Sequence, residues 1–124
     1  MDQQLFRGLK EDFKELAKDT EVLAILAFGS AVSGENTVRS DVDVCIVTPG
    51  AHDKVEVLRR AWRHVGGKYD LWLFEELPLY IQTEILQKHQ IIYCFDIPAL
   101  FEYFYFIRKR IADMLHRQRV ATMD

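Results

Sequence analysis

The sequence predicts an α/β fold, in the looser sense α+β: a small mixed β-sheet flanked by helices, with a long helix near the C-terminus. Three observations carry this expectation. Apolar runs of strand length, such as residues 22–28, alternate with longer stretches at helical spacing. The segment DVDVCIV at 41–47 places Val42, Val44 and Ile46 opposite Asp41, Asp43 and Cys45, the period of two that marks a strand. From 98 to about 119, apolar side chains recur every three or four residues in a stretch too long for a strand.

Taken in order, Leu5, Phe6, Leu9, Phe13, Leu16 and Ala17 make 3–18 an amphipathic helix. Residues 22–28 form a buried strand closed by Gly29-Ser30, and the small polar stretch 31–40 is an excursion. The strand beginning at Asp41 ends at Pro49-Gly50. A second helix over 52–64 carries Val55, Leu58, Ala61 and Trp62, with Val65 following, and stops at Gly66-Gly67. KYDLWLF at 68–74 is a third strand with Asp70, Trp72 and Phe74 on one face and Tyr69, Leu71 and Leu73 on the other. Residues 77–88 read as a helix, since Pro78 is tolerated in a first turn whose N–H groups lack helical partners. A short edge strand over 91–95 follows, then the long helix, capped by Asp96, with Leu100, Phe101, Phe104, Ile107, Ile111 and Leu115 on one stripe. With no repeat or linker, 1–124 reads as one domain.

The composition, 49% apolar and 28% charged, is that of an ordinary globular chain. A net charge of −3, from 16 basic and 19 acidic residues, predicts no direct nucleic-acid binding. Arg108, Lys109, Arg110, His116, Arg117 and Arg119 form a local basic run, by default solvated charge that complements a helix C-terminus. Cys45 and Cys94 lie in apolar runs and read as buried thiols, not a disulfide. The early acidic residues and the lack of a long apolar run argue against a signal peptide or membrane span, so the expected location is cytoplasmic.

The chemistry concentrates in Gly29-Ser30, then ten residues, then Asp41-Val42-Asp43, with Asp70 on a later strand. Carboxylates at i and i+2 of a strand project from one face, an arrangement that lets both ligate a hard cation such as Mg²⁺. Transfer from a triphosphate is mainly positioning and charge neutralisation by metal ions. Gly29 permits close backbone approach, and Ser30 adds a hydroxyl at the start of a possible short helix. Asp70 can join a second metal and take the proton of an attacking hydroxyl.

Strand, Gly-Ser, ten residues, Asp-x-Asp, helix and a strand with Asp together resemble the DNA polymerase beta nucleotidyltransferase superfamily, and within it the minimal nucleotidyltransferase (MNT) branch. The resemblance covers nearly the whole chain. It implies a polymerase beta-like fold, two Mg²⁺ ions, ATP as substrate, and transfer of AMP to a hydroxyl with release of pyrophosphate. It further implies an antitoxin role toward a HEPN-type helical toxin, modified on a tyrosine. On this mapping Gly29 and Ser30 hold phosphate, while Asp41, Asp43 and Asp70 are catalytic and metal-binding. Where such proteins carry arginines just after Gly-Ser, this chain has Ala31-Val32-Ser33-Gly34; Arg39 is the nearby substitute for holding the nucleotide.

His52, His64, His89 and His116 lack ligand spacing and read as surface residues, and Trp62 and Trp72 as core packers, although Trp72 shares a face with Asp70 and could border a base pocket. Phe101, Tyr103, Phe104, Tyr105 and Phe106 are too many large apolar groups for one buried stripe, which predicts a partner or a homodimer on a second face. Two alternatives stay open: a catalytically weak binding module of the same fold, and a nucleotidyltransferase acting on a small molecule, though nothing here supplies the extra domain the latter usually carries.

Overall fold

In a computed structural model, residues 1–34 and 41–122 are described. Along the chain they form α1 (Gln3–Asp12), β1 (Ala24–Phe28), α2 (Ser30–Ser33), β2 (Asp43–Val47), α3 (Lys54–Val65), β3 (Asp70–Leu73), α4 (Leu79–Gln87), β4 (Gln90–Cys94) and α5 (Ile97–Ala121). Short 3₁₀ turns occupy Leu16–Lys18 and Phe74–Glu76. The sheet order is β3-β2-β1-β4. β1 runs antiparallel to β2 and β4, while β2 and β3 are parallel and joined through α3, so the sheet is mixed as expected.

Helices cover both faces, which is why β1 is apolar at every position and buried throughout. Alternation sorts its side chains. Ile25 and Ala27, with Val44 and Ile46 of β2, pack with Leu9 and Phe13 from the α1 region and with Val57 and Ala61 of α3. Leu26, Phe28, Cys45 and Val47 pack on the other side with Phe74, Ile85 of α4, and Leu100 and Phe104 of α5. Burying each such side chain stabilises the fold by about 1.5–3 kcal/mol.

Several expected elements are corrected by tertiary contacts. The helix 3–18 stops at Asp12, whose carboxylate is held by Tyr69 and by Lys68 at 2.9 Å, and the chain turns through Leu16–Lys18 so that Leu16 still reaches the core. Asp19 then receives Arg60 Nε at 2.7 Å, tying this turn to α3. α3 starts at Lys54 behind an Asp53 cap and buries Val57, Ala61 and Val65, which leaves Val55 exposed. Pro78 caps α4 from outside its first turn.

Trp62 and Trp72 are not core packers: 47% and 44% of their surfaces remain exposed. Trp62 lies beside the buried stripe of α3, and Trp72 lies on β3, an edge strand. Cys45 is buried and Cys94 half-buried, both as free thiols, and burial pushes the Cys45 thiol pKa upward. His52, His64 and His116 are exposed, whereas His89 is half-buried, its Nδ1 at 2.7 Å from the Ile85 carbonyl and its ring edge-on to Phe104.

Asp96 caps α5 by accepting the Ala99 N–H at 3.1 Å. The predicted single stripe of α5 is narrower than expected: Leu100, Phe104 and Ile107 are buried, whereas Phe101 and Leu115 are exposed, together with Tyr105 and Phe106. At 25 residues the helix is about 37 Å long, so its C-terminal half, with most of the basic run, outreaches the sheet. No helix among the described residues is long and apolar enough to cross a membrane.

Candidate active site

The register of β2 and β3 brings two predicted carboxylates side by side: Asp43 pairs with Asp70, and the Asp70 N–H donates to the Val42 carbonyl at 3.0 Å. Paired residues on neighbouring strands project to the same face. Asp41 precedes the strand and is exposed. Burial raises the Asp43 pKa above its ordinary value, the Trp72 N–H offsets part of that, and the charges of Asp70 and Asp41 raise it further. Trp72, which the sequence places on the face of Asp70, adds a contact that the motif does not signal. It pairs with Cys45, two residues beyond Asp43, and its Nε1–H reaches back to Asp43 Oδ1 at 3.2 Å.

The last β1–β2 pair is Phe28 with Asp43, so Gly29 follows directly beside this carboxylate. Gly29 adopts φ 79° and ψ −152°, a region open essentially to glycine alone. The Asp43 carboxylate fills the space a Gly29 β-carbon would need. Ser30 then opens α2, as anticipated, and the Gly29 carbonyl accepts from the N–H groups of Val32 and Ser33.

Two clefts meet at Phe28. One, of about 330 Å³, has Gly29, Ser30 and Ser33 on one wall and Glu84, Gln87 and Lys88 of the α4 end on the other. The second, of about 320 Å³, runs from Asp43 and Trp72 to Pro78, Tyr80 and Ile81. α4 therefore flanks the site along its length. Nothing in the local pattern of 79–88 signals this, because it depends on where the helix packs. Arg39 lies outside the described residues.

Hard divalent cations take oxygen ligands, and Asp41, Asp43 and Asp70 present only oxygens. Burial first, and the neighbouring Asp70 and Asp41 charges second, disfavour the charged Asp43, and a bound cation would offset both. The donor set thus fits Mg²⁺ in kind. Among the described residues no three His, Cys, Asp or Glu side chains already converge as a ligand set, and Asp41 is exposed.

Comparison with known proteins places the family and the fold. The family described as "Polymerase beta, Nucleotidyltransferase" matches residues 11–97. A Methanocaldococcus jannaschii protein named "Putative protein adenylyltransferase" is 41% identical over 100 residues, spanning 81% of this chain and 78% of the relative. A chain of a toxin–antitoxin crystal structure with AMP-PNP shares the fold at a TM-score of 0.69 and 11% identity, covering 90% of this chain and 94% of that one. So does a chain from the complex of tri-AMPylated Shewanella oneidensis HEPN toxin with MNT antitoxin, at a TM-score of 0.60 and 13% identity, covering 94% and 93%. The mixed sheet, the Gly-Ser turn against Asp43 and the family match over most of the sheet lead to one conclusion: this chain belongs to the polymerase beta nucleotidyltransferase family.

Proposed function

We propose that this nucleotidyltransferase is a protein adenylyltransferase that moves AMP from ATP, with Mg²⁺, onto a tyrosine hydroxyl of a HEPN-type toxin and so acts as its antitoxin. The observation that carries the reading is the in-register pair Asp43 and Asp70 beside the Gly29 turn. The adenylyltransferase name of the 41% identical relative supports the protein acceptor, and the two toxin–antitoxin complexes of like fold support the partner class.

Asp41 and Asp43 would hold a divalent cation, and Asp70 would take part in holding a second. When bound, such a cation would supply charge neutralisation for the triphosphate and for the charge developing at the α-phosphorus. Gly29 and Ser30 receive the outer phosphates, with Arg39 as a further cationic contact from the segment before Asp41. The exposed faces of Trp72 and Tyr80, in the cleft beside Asp43, suit a flat nucleobase. Asp70 accepts the proton of the acceptor hydroxyl as its oxygen bonds to the α-phosphorus. The α–β phosphoanhydride bond breaks and pyrophosphate leaves.

A protein acceptor also suits the surface. Phe101 and Tyr105, one turn apart on α5, stay 52% and 61% exposed beside the buried stripe, an apolar face of the kind partners cover. The test is incubation of the protein and its co-purifying helical partner with labelled ATP and Mg²⁺, followed by intact-mass analysis of both chains. An AMP increment on the partner that disappears in Asp43→Asn is expected. A stable complex with no increment would replace this reading by that of a contact-only module, which the uncharged stretch after Ser30 favours.

A further inference from the structure

Building on that reading, we infer that Lys88, at the C-terminal end of α4, is a cation that receives the outer phosphates of the nucleotide across from Gly29 and Ser30. The cleft beside Gly29 and Ser30 has one wall from the 29–34 turn and one from α4. The first wall is GSAVSG, which carries no charge. Hydroxyls and backbone amides orient phosphate oxygens but leave their charge largely uncompensated, whereas an ammonium group on the facing wall compensates it as a point charge.

Among the described residues, Lys88 is the one basic residue lining this cleft. It is exposed, and among the described residues its ammonium enters no salt bridge. Its backbone is anchored as the cap of α4, with its N–H donated to the Glu84 carbonyl at 2.9 Å, so the side chain starts from a fixed point. The ordinary role of a lysine here is to complement the helix C-terminus while solvated. That role does not call for a position across a cleft from Gly29 and Ser30.

Glu84 lines the same wall one turn earlier. The two charges cancel for a loose anion, which makes the cleft a poor site for free phosphate. A triphosphate held by its nucleoside and α-phosphate presents its outer phosphates to Lys88 at high effective concentration, an advantage that free phosphate lacks. The contact is thereby specific to the β- and γ-phosphates.

The experiment is calorimetric titration of the full chain with ATP and with AMP, each with Mg²⁺, for the native protein, Lys88→Met and Lys88→Arg. Lys88→Met should weaken ATP binding about tenfold, or about 1.4 kcal/mol, and leave AMP binding unchanged, while Lys88→Arg recovers most of the loss. The exposed position lets both variants fold. Native ATP binding with no change in Lys88→Met, or an equal loss for ATP and AMP, overturns the assignment of Lys88. Native protein that binds no Mg²⁺-ATP overturns the transfer reading itself, and Lys88 with it.

Discussion

A β-carbon on Gly29 would stand 2.8 Å from Asp43 Oδ2, closer than such atoms approach in real structures. Gly29→Ala therefore meets two penalties, a backbone region closed to alanine and a collision with the carboxylate beside it. We expect a loss of about 1–3 kcal/mol in stability. Displacement of Asp43 should lower AMP transfer more steeply than the stability loss explains. Chemical denaturation and single-turnover transfer, measured on the same preparation, separate the two effects.

Replacing Asp43 or Asp70 by Asn should split activity from stability. Burial and flanking carboxylates disfavour the charged form of Asp43, so the neutral amide removes an unfavourable term and can still accept the Trp72 N–H. Melting temperatures should stay level or rise. Transfer should fall by about 10²–10⁴ for Asp70→Asn, the usual contribution of a general base. Melting curves alongside AMP incorporation check both, and a destabilised Asp43→Asn would contradict a charge disfavoured by burial and its neighbours.

On α5, neighbouring aromatic residues should behave oppositely. Phe104 is fully buried and packs on Phe74 at a centroid distance of 5.9 Å, so Phe104→Ala should cost about 3–5 kcal/mol. Phe101→Ala should leave stability within about 0.5 kcal/mol, since the ring is largely in water. In the complex the order reverses, and Phe101→Ala should weaken partner binding in a pull-down or titration.

Glu75 ties three elements together. It accepts the Thr48 N–H and Oγ1–H, each at 3.0 Å, through Oε1, and the Tyr103 Oη–H at 3.0 Å through Oε2. Burial, with the adjacent Glu75 charge, raises the Tyr103 pKa and keeps the phenol a donor. Glu75→Ala leaves the buried Thr48 donors without their acceptor and should cost about 1–3 kcal/mol by urea unfolding. Tyr103→Phe should cost less, because it removes a donor without stranding Thr48.

Acid stability should depend on Asp12. The hydrogen bond from Tyr69, then Lys68, holds its carboxyl below the ordinary value, so the unfolded chain binds the proton more readily. Its stabilisation is present above the unfolded pKa of about 3.9 and disappears as pH falls through the lower folded value. Asp12→Asn should flatten the acid limb of a stability–pH curve below about pH 4 and leave its shape near neutrality unchanged. An unaltered acid limb would show that the contact contributes nothing.

Local periodicity by itself determined the order of helices and strands, the two faces of DVDVCIV and KYDLWLF, the Gly-Ser turn into a short helix and the Asp96 cap, because each depends on residues within one or two turns of each other. It also showed that α5 carries more apolar surface than one core can bury. Only tertiary structure decided that Asp43 lies level with Asp70, since register across a parallel pair joined by a helix is set by non-local packing. The same holds for the Trp72 N–H on Asp43, the early end of α1 at Asp12, the exposure of Trp62, and the cleft that Lys88 and Gly29 line together. A strand pattern states which side chains share a face; which other chain segment stands opposite is settled by the packing of the helices that cover it.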